Sequence, residues 1–256
     1  MVKKATTRKP RKTTKAAAAP KRGVLRSLRR GFLAFVGAIV LSVGVYAILP
    51  PPTTPYILSE GIRLGDIRRE WVSAASIAPE ALRAVVAAED ANFCRHWGFD
   101  MEQLRAAIQE GADRGASTLT QQTVKNVWLW QGRSWPRKAL EALMTPVVEA
   151  IWTKRRIVEV YINVAEFDEG VFGIEAAAQH HFGVRAADLT LRQASLLAAV
   201  LPNPKARQAV NPSAFVDRRA RAIADGAATI RADGRADCYA GSDMRSGVES
   251  ARLLSH

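Results

Sequence analysis

Residues 79–98 read PEALRAVVAAEDANFCRHWG. Leu82, Val85, Val86 and Glu89 fall at i, i+3, i+4 and i+7, the repeat of one helical face. An acid therefore continues an apolar stripe, and it does so near a helix C-terminus, where the macrodipole disfavours negative charge. Both conditions raise a carboxyl pKa and make Glu89 a candidate proton acceptor. Periodicity alone also allows an acid that swings outward or pairs with an arginine.

Working outward, the same 3.6-residue repeat continues to about Ile230, and strand-like alternation is rare. Helices are expected at 79–90, 100–112, 118–130, 136–153, 154–164, 173–182, 190–200 and 213–231, separated by Gly, Asn, Asp or Pro. Pro146 should kink or break the fourth of these. Residues 50–75 read as a linker and extended lead-in, 76–232 as one domain, and 233–256 as a tail that is ordered only if Cys238 ties it down. The fold class is mostly α.

The formal charge of +13 suggests nucleic acid, but its distribution excludes that partner. Residues 1–30 hold twelve Lys and Arg and no acid, which leaves 25 basic against 24 acidic residues elsewhere. Gly31 to Leu49 follows without a charge, nineteen residues that span about 28 Å as a helix, close to a bilayer's hydrocarbon core. Pro50, Pro51 and Pro52 end it. The cations on one side orient a single transmembrane helix with 1–30 as a basic cytoplasmic tail and the domain outside. A cleaved signal peptide is the competing reading; its apolar region is normally shorter and is followed by a small-residue cleavage site. Cys94 and Cys238 both fall in the exported part, where a bridge is permitted but not demanded by spacing.

Other candidate chemistry lies in two segments. Thr118 and Gln121 have capping-box spacing, and Gln121, Gln122 and Lys125 share a helical face suited to a sugar or phosphate, or to solvent. Arg133, Arg137, Lys138 and Glu141 form a basic cluster around a second acid, which borders the apolar positions Met144 and Val148. These cations are either ordinary helix-surface partners or, gathered with Lys125, a site for a diphosphate. There is no glycine-rich phosphate loop and no metal-type Cys/His spacing, and on a helix His180 and His181 point in different directions.

Five segments in order resemble the motifs of family 51 peptidoglycan glycosyltransferases. Residues 89–98, EDANFCRHWG, resemble E-D-x-x-F-x-x-H-x-G; 115–122, GASTLTQQ, resemble G-[GA]-S-T-[IL]-T-Q-Q; and 137–141, RKALE, resemble R-K-x-x-E. KRRIVEVYIN at 154–163 is similar to K-x-x-I-L-E-x-Y-L-N, and GVFGIE at 170–175 with Ala178 resembles the glycine-rich fifth motif. The resemblance covers most of residues 60–230. It is strongest to monofunctional biosynthetic members, since no S-x-x-K with a partnering K-T-G is present.

The resemblance implies a lysozyme-like helical domain that polymerises lipid II in the bacterial inner membrane. Glu89 becomes the base that deprotonates the acceptor GlcNAc 4-hydroxyl, and undecaprenyl diphosphate leaves with inversion to a β-1,4 linkage. Glu141, with Lys125, Arg133, Arg137 and Lys138, stabilises the diphosphate. Ser117, Thr118, Gln121 and Gln122 shape the sugar cleft. Asp90, Phe93, His96, Gly98, Glu159, Asn163 and Gly173 support the fold. No organic cofactor is implied; a magnesium or manganese ion accompanying the diphosphate is, with no assignable ligands. Expected partners are lipid II, the growing lipid-linked glycan, the membrane and other cell wall synthesis proteins. Rival readings are a lytic transglycosylase or lysozyme, and an inactive scaffold.

Overall fold

Helix boundaries follow local capping chemistry. The computed structural model describes residues 22–109 and 117–240. Parts of the basic tail, the second motif (Gly115, Ala116), the end of the 100–112 helix and the C-terminal tail lie outside them. Ten α-helices are described: α1 Arg22–Tyr46, α2 Pro55–Leu64, α3 Pro79–Glu89, α4 Met101–Gln109, α5 Leu119–Trp128, α6 Trp135–Ile151, α7 Lys154–Val164, α8 Ile174–Phe182, α9 Leu191–Val200 and α10 Ala214–Ala232. Each expected helix from 79 onward is matched to within a few residues. Pro146 lies inside a continuous α6 rather than at a break.

Residues 50–75 differ from expectation. The stretch contains α2, whose N-cap Thr54 accepts from the Ile57 amide, with Pro55 in the first turn and left-handed Gly65 closing the other end. It also contains β1 (Arg68–Arg69), the edge of a three-stranded sheet in the order β1-β3-β2. β1 runs parallel to β3 (Val171–Phe172), and β2 (Glu166–Asp168) runs antiparallel to β3 with a register shift between Glu166 and Asp168. Strands of two or three residues are too short to print an alternation in the sequence.

Among the described residues, those up to Ser42 and those from Val43 onward form separate units. Within α1, Arg26–Tyr46 is long and apolar enough to cross a membrane, with Phe32, Leu33, Phe35 and Leu41 exposed. In the second unit, the carbonyls at the end of this helix are satisfied by side chains: Trp152 Nε1 donates to Val43 O, and Arg156 donates to Tyr46 O and Leu49 O.

Two helix clusters build the domain. α3, α9 and α10 pack on one another, and α5 packs against α6 and α7. Leu82, Val85 and Val86 of α3 are fully enclosed, so truncating Leu82 to Ala would cost about 2–5 kcal/mol. Small residues on α9 (Ala194, Ala198, Ala199) let the helices approach closely. α3 also touches α7, so its C-terminal end, carrying Glu89, emerges where the two clusters meet.

Candidate active site

The loop after α3 is locked to the start of α5. Asp90 Oδ1 meets His96 Nε2 at 2.9 Å, and Oδ2 accepts from the Leu119 amide at 2.9 Å, placing a negative charge on a helix N-terminus. Thr118 donates to Gly98 O, and Thr118 with Gln121 completes a reciprocal capping box. Both are buried in that role. They lie beneath the cleft assigned to them from sequence, while Ser117 and Gln122 line it. Gly98 has φ +81, and a Cβ there would sit 2.7 Å from Thr145 Cγ2, so only glycine fits. Phe93 is enclosed beneath the Lys154 ammonium, 4.2 Å from its ring centroid, and Lys154 also bonds His96 O and Glu149.

Glu159 and Asn163 brace the lead-in. Glu159 Oε2 accepts from the Ala74 amide, and Asn163 bonds both the amide and the carbonyl of Val72. Gly173, at φ +87, leaves 3.0 Å between a notional Cβ and Asn163 O, so the fifth motif closes on the fourth only as glycine.

Above this framework lies a cavity of about 490 Å³ lined by Glu89, Ser117, Gln122, Gln103, Pro202 and Arg219, among others. Gln122 Nε2 donates to Glu89 Oε2 at 2.9 Å, while Oε1 is enclosed and has no partner. Burial pushes the Glu89 carboxyl above its ordinary value, Asp90 adds to the shift, and the Gln122 bond, Arg219 and Lys125 oppose it. Tyr161 OH donates to Gln122 Oε1, which fixes the amide so that its NH₂ faces the acid.

Glu141 has the opposite setting. It is 2% exposed; Arg137 Nη1 holds Oε2 at 2.6 Å, and the Lys138 ammonium holds Oε1. Arg137, itself 8% exposed, also donates to Gly132 O, so it is committed to positioning Glu141. Lys138 stays open to solvent on one side and reaches Ser117 Oγ at 2.8 Å. Exposed Arg133 shares a second cavity with Lys138.

The two acids are joined through polar contacts. Glu89 bonds Gln122, Gln122 reaches Ser117 O, Ser117 Oγ bonds Lys138, and Lys138 holds Glu141. Lys125 feels both carboxylates and lines a third cavity that shares Gln122 and Pro202 with the first. Desolvation pushes its ammonium below the usual lysine range, and the two glutamates oppose that shift. The adjoining cavities thus place an acid with one unpartnered oxygen near a group of cations.

A family model described as Transglycosylase matches residues 59–228. The chain is 60% identical over 233 residues to the biosynthetic peptidoglycan transglycosylase of Jannaschia sp. (strain CCS1), covering 91% of this chain and 98% of that relative. The protein of the same name from Caulobacter vibrioides is 43% identical over 224 residues, 86% of this chain and 98% of its own. That from Pseudomonas fluorescens (strain Pf0-1) is 47% identical over 206 residues, 77% and 86% respectively. The chain belongs to the transglycosylase family.

The donor set does not suit a resident divalent cation. Glu141 has both oxygens held by cations, Asp90 has both oxygens hydrogen-bonded, and among the described cleft residues the unpartnered carboxylate oxygen is Glu89 Oε1, with Arg219 and Lys125 nearby.

Two site residues receive no role from the sequence, one of them, Tyr161, although it is the tyrosine of the fourth motif. Arg219 lines the cavity beside Glu89 and donates to Ala88 O, and Tyr161 orients Gln122. Arg219 does leave a signal: Val216, Arg219, Ala220 and Ile223 repeat the stripe that marks Glu89.

Proposed function

We propose that Glu89 is the general base of a polymerisation in which lipid II is added to a lipid-linked glycan. The chain is a glycosyltransferase of peptidoglycan synthesis. In the proposed step Glu89 Oε1 takes the proton of the acceptor GlcNAc 4-hydroxyl as that oxygen bonds to the donor's anomeric carbon. The bond from that carbon to the diphosphate breaks, its electron pair leaves with undecaprenyl diphosphate, and the configuration inverts to β-1,4. The observation that carries this reading is the enclosed, unpartnered Oε1 facing a cavity that leads to cations. A raised pKa strengthens the base. Lys138, Lys125 and Arg133 neutralise charge growing on the leaving diphosphate, while Arg137 keeps Glu141 in place beneath Lys138. A magnesium or manganese ion arriving with the diphosphate would be carried by the substrate's own oxygens.

The rival lytic reading cuts glycan with one acidic glutamate and gives the cations grouped around Glu141 no role. Arg137 and Lys138 gripping both oxygens of Glu141 therefore favour synthesis over cleavage. We further propose that α1 anchors the chain in the bacterial inner membrane, N-terminus in the cytoplasm and domain in the periplasm. The cationic residues before the span and the Cys94–Cys238 disulfide, which suits an oxidising compartment, support this topology. Incubating the full chain with labelled lipid II, and separately with finished murein, tests the reading. Polymer from the first and no fragments from the second are expected; fragments from murein would replace synthesis with cleavage.

A further inference from the structure

Away from the candidate active site, the sheet and the last turn of α8 bring together three ligating side chains. His180 Nε2 lies 3.4 Å and His181 Nε2 3.7 Å from Asp168 Oδ2, with all three atoms within 4.8 Å of one another. Two ligands held about 2.0–2.1 Å from a tetrahedral zinc stand roughly 3.3 Å apart, so little movement would close the set. Adjacent histidines point apart around a helix axis, as the sequence implies. Asp168 at the end of β2 nevertheless faces both rings, whose centroids are 4.8 Å apart, and gives them a common target.

His181 supplies the independent evidence. Its side chain is only 7% exposed, and Nε2 is enclosed without a hydrogen-bond partner, 3.7 Å from the carboxylate and beyond bonding reach. The Phe167 backbone makes a further polar contact with this ring, the kind of outer contact that orients a ligating imidazole. Leaving such an atom unpaired costs free energy unless something else binds it. Asp168 is similarly prepared: Oδ1 accepts from the Glu169 amide, and Oδ2 points at the histidines. His180 and Asp168 are each one-third exposed, which opens a path for an ion and its remaining water ligands. One contact opposes binding. Arg68 Nη1 lies 2.9 Å from His180 Nδ1 and must release that nitrogen so that it can carry the ring proton.

We propose that Asp168, His180 and His181 form a binding site for a borderline divalent transition metal, zinc above all, which staples the β2–β3 hairpin to the end of α8. Two imidazoles and one carboxylate suit zinc over magnesium or calcium, which prefer all-oxygen sets.

The test uses the full chain in detergent, stripped with chelator and titrated with zinc chloride by calorimetry, with cobalt(II) as an absorption probe. One equivalent of zinc should bind and raise the thermal midpoint, and cobalt should give visible ligand-field bands. His181→Ala and Asp168→Asn should each weaken binding at least about tenfold; Asp168→Asn retains the Glu169 contact at Oδ1 and decides the matter should His181→Ala misfold. Arg68→Gln should tighten binding by removing the competing donor. Absence of saturable binding, or binding that survives Asp168→Asn unchanged, overturns the proposal.

Discussion

The C-terminal end of α3 and the middle of α6 each bury a glutamate within the field of Lys125, and they treat it oppositely. At Glu89 the surroundings are half-buried and largely neutral: one amide donor, one unpartnered oxygen, cations acting only from a distance. At Glu141 an arginine and a lysine grip both oxygens. Desolvation without direct pairing makes a basic carboxylate ready to take a proton, whereas direct pairing makes an anchor that holds cations in place. The site needs one of each, and they cannot be exchanged.

The sharpest way to break this contrast is to neutralise each acid in turn. Glu89→Gln should lower polymerisation by about 10²–10⁴-fold and yet raise the thermal midpoint at pH 7. The sign follows from linkage. A carboxyl whose folded pKa exceeds its ordinary value of 4.5 favours unfolding once pH passes that value, so the stabilisation by Gln should vanish in acid. Glu141→Gln should also lose activity but with the opposite stability sign, costing about 3–5 kcal/mol because Arg137 is left buried and uncompensated. At about 2–4 °C per kcal/mol for a domain of this size, melting curves separate the two variants. Equal signs would erase the distinction.

The next effect concerns what supports the Glu89 side. Cys94 and Cys238, 144 residues apart in sequence, are bonded, and the C-terminal turn they hold packs Tyr239 near Phe93 and lets Arg235 donate to Ala91 O. Cys238→Ser should cost about 2–5 kcal/mol. Hydrogen exchange should rise at residues 90–97 while the middle of α6 stays protected. The smallest shift is in the pH profile. Gln122→Ala or Lys125→Met removes an influence that lowers the Glu89 pKa, so the acidic limb of kcat/KM should move to higher pH; movement to lower pH would contradict the assigned electrostatics.

Much of this contrast is legible along the chain. Stripe positions mark Glu89 and Glu141, and Arg219 on α10 obeys the same rule, because a charged residue in an apolar repeat is drawn toward the packed face of its helix. Thr118 and Gln121 show the limit: their capping-box spacing is readable, but the box turns their side chains into the helix start and away from the cleft that the resemblance implies for them. The helix at 55–64 is hidden by its proline-rich approach, although Thr54, Pro55 and Gly65 are ordinary boundary signals.

By itself the sequence determined where helices begin and end and which faces are apolar, since caps, prolines and a 3.6-residue repeat act within about four residues of one another. It also determined the charge asymmetry about the apolar span. Only the tertiary structure decided that Cys94 meets Cys238, that Gln122 and Ser117 connect the two acids, that Arg219 lines the cavity beside Glu89, and that Asp168 reaches both His180 and His181. Most of these contacts join segments far apart in the chain, and even neighbouring histidines acquire a common target only when a strand from elsewhere is packed beside them.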